Sequence, residues 1–167
     1  MEKIKNNGFT IIEFLVYIAV LAIVINVIGG VALNVFQVGA RTDAIQEVAH
    51  NGRFSMQKIG QAIKSASSVV LPSVEGASLV LEFEESDKNP TIFDVSGDVL
   101  RMKEGNKGYV DLTTSKVNIE NLKFKKVSFN GLDSVEIEIN VSFDNQKELP
   151  EYDFENFFVG AFTVKGK

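Results

Sequence analysis

The sequence has no cysteine, one histidine and three prolines in 167 residues. Without cysteine there is no disulfide framework and no thiolate for a metal site, and the redox compartment stays open. With His50 as the only imidazole, hydrolytic triads and zinc sites lack their parts. His50 reads as a solvated helix residue beside Asn51. The largest gap is one of charge. Residues 9–40 contain no basic side chain and one carboxylate, Glu13. That run exceeds the roughly 20 apolar residues a bilayer-spanning helix needs. The net charge is −5, so bulk electrostatics offers no surface for nucleic acid.

What is present begins with a short polar segment, residues 1–8, carrying Lys3 and Lys5. Phe9-Thr10-Ile11-Ile12-Glu13 follows and opens the apolar run. A charge at the centre of a span costs about 2.5–3.5 kcal/mol on insertion scales. Glu13 avoids the centre. Near the start of the run it stays close to the headgroups of an isolated chain and is free to meet a positive group in an assembly. A secretory signal peptide is cut after its apolar region at small residues. Here the candidate junction, Gly8 and Phe9, precedes the run, and no Ala-x-Ala-like site ends it. A plain single-span anchor leaves that junction and the place of Glu13 unexplained. A buried core helix would need an enveloping domain that this chain is too short to supply. Lys3 and Lys5 keep the leading end cytoplasmic by the positive-inside tendency, with Arg41 a weak counter-signal and the acidic bulk outside.

The arrangement of basic leader, Gly8, Phe9, Thr10, two isoleucines, Glu13 and a long apolar run resembles the class III signal of type IV pilin-like proteins. That family covers pilins, minor pilins, pseudopilins of type II secretion and competence pseudopilins. The resemblance implies that a membrane-embedded aspartyl prepilin peptidase cuts between Gly8 and Phe9 and methylates the new amine of Phe9. It implies that Glu13 pairs with the N-terminal amine of a neighbouring subunit during assembly. The implied partners are other pilin-like subunits, the prepilin peptidase, an inner-membrane assembly platform and membrane lipid. No cofactor and no enzymatic activity are expected. The implied location is the cytoplasmic membrane as a single-pass protein, with the C-terminal domain outside and a filament or pseudopilus as the assembled state. Gly29 and Gly30, close to Asn26, mark a soft point. A mid-helix glycine costs about 1 kcal/mol relative to alanine, and paired glycines often kink a helix. The same residues would allow close helix packing in a membrane. In pilin relatives this region can lose helicity inside the filament, which the resemblance implies these glycines would make easier. Many relatives carry a disulfide in the outer domain, and this chain departs from that.

After Arg41 the pattern turns amphipathic. Ile45, Val48, Gly52, Met56, Ile59, Ile63 and Ala66 recur at intervals of three and four, which is one stripe of a helix. Ser67-Ser68 and Leu71-Pro72-Ser73 end it. Strands are expected at 79–83, at 91–95 and 99–103 around Ser96-Gly97-Asp98, at 109–112, at 123–129 and 134–143 around Asn130-Gly131, and at 157–164. Residues 117–122 are ambiguous and 144–155 read as a polar excursion. The expected divisions are a leader (1–8), a transmembrane and assembly helix (9–40), its amphipathic continuation (41–68) and an antiparallel β-sheet domain (69–167). The fold class is α+β, a sheet laid on the amphipathic part of a long N-terminal helix. Leu112-Thr113-Thr114 through Phe124 and the strands after it loosely resemble minor pilins and J-type minor pseudopilins. Glu84-Glu85-Ser86-Asp87 fits no calcium-loop spacing and reads as a solvated charge run. The expected function is a structural subunit that joins, primes or tips a filament of a type IV pilus, a type II secretion system or a competence apparatus. The alternative is a non-polymerising, membrane-anchored binding module with a single span.

Overall fold

The computed structural model describes residues 10–129 and 131–165. The chain divides into two compact units, Met1–Gly39 and Ala40–Lys167. Helix α1 (Ile11–Ser65) supplies residues to both.

In the N-terminal unit, α1 is apolar on every face and exposed throughout, from Ile11 and Phe14 to Phe36 and Val38. Its most apolar window of 18 residues has a mean hydropathy of 2.8 and no buried residue. Water cannot be the solvent for such a surface, because a helix apolar all round belongs in a membrane or a large protein core. By length and composition the helix is able to cross a membrane.

In the C-terminal unit the same helix carries one covered stripe: Ala44, Val48, Asn51, Gly52, Ser55, Ile59, Gly60 and Ile63 are buried. Val48, Gly52, Ile59, Ile63 and Ala66 fall where the periodicity puts them. Ile45 does not: it is 37% exposed, two turns before Gly52, where the first aromatic ring from the sheet meets the helix. Met56 is half-buried.

Two antiparallel sheets cover that stripe, where one was expected. The first has the order β1-β3-β4-β5-β6, from β1 (Ser68–Leu71), β3 (Leu79–Glu82), β4 (Thr91–Ser96), β5 (Val99–Glu104) and β6 (Val110–Asp111). The second has the order β2-β7-β8-β9, from β2 (Glu75–Gly76), β7 (Val117–Phe129), β8 (Leu132–Phe143) and β9 (Glu155–Thr163). Leu79, Leu81, Phe93 and Leu100 of the first sheet join Phe124, Val135, Ile137 and Ile139 of the second and Val48, Ile59 and Ile63 of α1 in one core. The β4–β5 hairpin closes on Gly97 and Asp98, both at positive φ (57° and 62°), with Ser96 opposite Val99. Positive φ at both central residues is the type I′ geometry that matches strand twist. In the β7–β8 hairpin Phe129 faces Leu132 and Gly131 has φ 77°; Asn130 lies outside the described residues. A bulge between Ile119 and Asn121 shifts the register of β7. Inward positions therefore run Val117, Ile119, then Leu122 and Phe124, and the broken alternation is why residues 117–122 look irregular as sequence. Lys126 fastens the hairpin to β1, donating to the Val69 carbonyl at 2.8 Å and pairing with Asp133 at 2.9 Å.

β9 alternates Phe157 and Val159 outward with Phe158, Gly160 and Phe162 inward, and Val164 just after it is buried. The inward rings rest directly on glycines of α1. A methyl group added to Gly52 would overlap the Phe158 ring, and one on Gly60 would come within 2.5 Å of the Phe162 ring. The arrangement is reciprocal, since a methyl group on Gly160 would come within 2.6 Å of the Met56 terminal carbon.

Three substitutions test this packing by thermal unfolding of the 40–167 fragment, whose core is its own. Gly52→Ala gains about 1 kcal/mol of helix propensity and loses about 1–3 kcal/mol to overpacking. A lower midpoint is expected, and likewise for Gly60→Ala. Ile63→Asp places an unpaired charge at a fully buried site and is expected to abolish the cooperative transition. An unchanged midpoint in all three would mean that the stripe is not core.

Candidate functional site

The start of α1 is built by Thr10. The Glu13 N–H donates to Thr10 Oγ1 at 3.3 Å and the Phe14 N–H to the Thr10 carbonyl at 3.1 Å. A helix leaves its first four N–H groups without internal partners, and a threonine hydroxyl at the N-cap satisfies one. Thr10-Ile11-Ile12-Glu13 is the capping-box pattern. It also sets Glu13 in the first turn, where the positive end of the helix dipole favours a carboxylate. The predicted cleavage pair Gly8 and Phe9, and with it the methylation position, lies outside the described residues.

Further along, Asn26 turns its amide back on its own helix, Nδ2 donating to the Ala22 carbonyl at 2.8 Å. That gives one of the two amide N–H groups an acceptor within the helix and lowers the cost of an apolar surrounding. α1 continues without a break through Gly29 and Gly30, and a Cβ at either would meet nothing within 4 Å. The pair exposes bare backbone on which a neighbouring helix could pack closely.

The C-terminal unit holds a polar node that reading the sequence missed. Asn51, 2% exposed, accepts the Thr114 N–H at 2.9 Å and donates to the Glu47 carbonyl at 2.9 Å. Thr114 Oγ1 donates to Glu47 Oε1 at 2.9 Å, and Lys116 stands 3.6 Å from Glu47 Oε2. The neighbouring Thr113 hydroxyl accepts the Leu100 N–H at 3.1 Å. The node pins the segment before β7 onto α1. The Thr114 hydrogen bond, helped by Asn51 and Lys116 and opposed by burial, holds the Glu47 carboxyl below its ordinary value of 4.5. The signal available in the sequence was the Thr113-Thr114 pair ahead of β7.

Beside the node lies an open groove of about 650 Å³ lined by Asp43, Gln46, Glu47, His50, Lys116, Phe143 and Tyr152. The Phe143 and Tyr152 rings stack at 5.4 Å. His50 is exposed, its ring 6.4 Å from Phe54. Among the described residues no three His, Cys, Asp or Glu are grouped to hold a metal ion. The 84–87 run is exposed, with Glu85 paired to Lys88 at 2.5 Å.

Residues 3–25 match the family model described as the prokaryotic N-terminal methylation motif, the type IV prepilin-like signal. The match takes in Gly8, Phe9, Thr10 and Glu13 and stops short of Gly29 and Gly30. No curated protein and no solved structure matches the chain.

The Glu47 node sets a pH dependence. Its folded-state pKa lies below 4.5, so its stabilisation is complete above that value and is lost as pH falls through the folded-state value. Asp133, held low by the Lys126 and Ser128 hydrogen bonds, acts with the same sign around its ordinary value of 3.8. Thermal midpoints of the 40–167 fragment are expected to drop on acidification below about pH 4.5. The double variant Glu47→Gln, Asp133→Asn is expected to start lower and fall less steeply.

Proposed function

We propose that this chain, which carries the type IV prepilin-like signal, is a structural minor pilin or pseudopilin. It would be cut between Gly8 and Phe9, methylated on Phe9 and assembled through its N-terminal helix. The observation that supports this most is the pairing of a methylation motif over residues 3–25 with a helix that has an 18-residue apolar window in which no residue is buried. That surface needs lipid before assembly and other apolar helices after it. The systems proposed, a type IV pilus, a type II secretion system or a competence filament, share this motif, and the motif does not choose among them.

Within this reading Glu13 sets register more than stability. Cleavage creates a charged amine on Phe9. In a bundle of apolar helices that amine and a carboxylate are each expensive alone, and paired they offset each other's desolvation. Before assembly the two belong to one chain, four positions apart in sequence, so an internal pair would be exchanged for an intermolecular one at little net cost. The demand for a partner then fixes the axial offset between neighbouring helices.

Two measurements test the reading. Co-expression with a prepilin peptidase is expected to yield a chain that mass spectrometry shows to start at methylated Phe9. An intact leader with active peptidase, or a cut after the apolar run, would overturn the assignment. Glu13→Ala is expected to insert and be cleaved normally but to be lost from complexes with other pilin-like subunits on crosslinking, with Glu13→Asp intermediate. Undiminished recruitment of Glu13→Ala would favour a membrane-anchored module that does not polymerise.

A further inference from the structure

We infer that the free edge of β9 binds an extended segment of a different protein chain, added as an antiparallel strand with its cationic end beside Asp153 and Glu155. The site lies in the C-terminal unit and is separate from assembly through the N-terminal helix. β9 closes the second sheet and pairs with β8 alone. Two hydrogen bonds fix which way its backbone faces. The Val164 N–H donates to the Asp133 carbonyl and the Phe143 N–H to the Phe154 carbonyl, each at 2.9 Å. Between them the register is unbroken, from Ser134 opposite Thr163 to Ser142 opposite Glu155. Bonded and non-bonded pairs alternate along an antiparallel ladder, so the even-numbered residues of β9 direct their backbone groups to β8. Phe157, Val159, Ala161 and Thr163 turn theirs to the open edge. No backbone hydrogen bond among the described residues takes them up.

Such an edge is a template for another strand unless something guards it. The three other sheet edges are short: β1 has four residues, β2 two and β6 two. β9 has nine, with no lysine or proline among them and Glu155 as its one charge. Both of its faces also lack full cover. Phe157 and Val159 are each 65% exposed on the outer face, and Phe158 and Phe162 are only half-buried on the inner one. An added strand would satisfy the open N–H and C=O groups and cover apolar side chains on both faces. The two ends of the edge differ in charge. Asp153 and Glu155 are exposed at its start. At its end Lys165 is exposed, and Lys64 lies 5.4 Å from the Phe162 ring. The partner strand is therefore apolar in its middle, cationic at one end and anionic at the other.

A second copy of this chain does not supply that strand. Pairing β9 with β9 about Val159 would set Asp153 opposite Lys165, which suits their charges. It would also reverse α1, because α1 and β9 run in the same direction. In two chains anchored in one membrane, the residue-40 end of that helix is the end joined to the apolar segment, so both helices run the same way. The remaining edges of a copy in that orientation are too short to cover nine residues. The strand has to come from another chain. Antiparallel addition continues the alternation of the sheet and makes the more stable ladder.

The test uses the full chain in detergent and a fluorescent peptide that runs from glutamates through alternating valine and threonine to lysines. An antiparallel fit sets its lysines beside Glu155. Two controls keep its side chains: the reversed sequence, and the same sequence N-methylated on alternate residues to remove the donors that face β9. Anisotropy is expected to show binding of the first peptide, weaker binding of the reversed one and none of the N-methylated one. Binding is expected to slow exchange of the Phe157, Val159 and Ala161 amide hydrogens. Val159→Pro removes one edge donor where an edge strand tolerates proline. It is expected to keep the thermal midpoint and to bind the peptide about tenfold less tightly. Should proline unfold the unit, Phe157→Lys and Val159→Lys charge exposed positions and are expected to weaken binding at an unchanged midpoint. Equal binding of the N-methylated peptide would overturn strand addition in favour of simple apolar adhesion. Unchanged affinity in folded Val159→Pro, with the edge amides unprotected, would overturn it as well. Dimers of the full chain that Val159→Pro abolishes would overturn the choice of partner in favour of a second copy.

Discussion

One helix has to satisfy two solvents. In residues 11–39 α1 presents apolar side chains in every direction, and from Ala44 to Ile63 it presents a single covered stripe. The change takes place without a proline or a loop, so the backbone hydrogen-bond ladder continues while its surroundings change. The sheets answer the second requirement only. They supply an apolar face to the stripe and none to the upstream residues, whose cover has to come from lipid or from other chains.

That division explains how much was legible beforehand. The apolar run and the amphipathic stripe have different periodicities, and each is long enough to read. Gly97 and Gly131 announce their hairpins because each sits at positive φ between alternating strands. What stayed hidden was short or out of phase. β1 and β2 have four and two residues, too few for a period to show, and β1 occupies a stretch that otherwise looks like a helix stop. The bulge beside Glu120 reverses the alternation near the start of β7. The second sheet could not be inferred, because nothing in a string of strands says which of them share hydrogen bonds.

The candidate site divides in the same way. Glu13 is visible as the one charge in an apolar run, a matter of composition. Thr10 is visible only as chemistry, since its meaning lies in a hydrogen bond to Glu13 three residues on. Asn51 and Thr114 are 63 positions apart in sequence, and neither has a local pattern that predicts the other. Gly52 was legible as a position on the helix stripe, and Gly60 was not singled out. That small residues there are required by Phe158 and Phe162 of a strand about a hundred residues later is a long-range fact.

The seating of those rings has a mechanical side. α1 and β9 run in the same direction, since Phe158 meets Gly52 and Phe162, four residues later, meets Gly60. Each ring lies in a notch walled along the helix by bulkier neighbours, while Met56 fills the matching notch at Gly160. Tension applied along this part of α1 would have to lift both rings over those walls at once and shear the contacts together. A pull across the axis could part them one after another. Shear along α1 within the C-terminal unit therefore engages both ring contacts together.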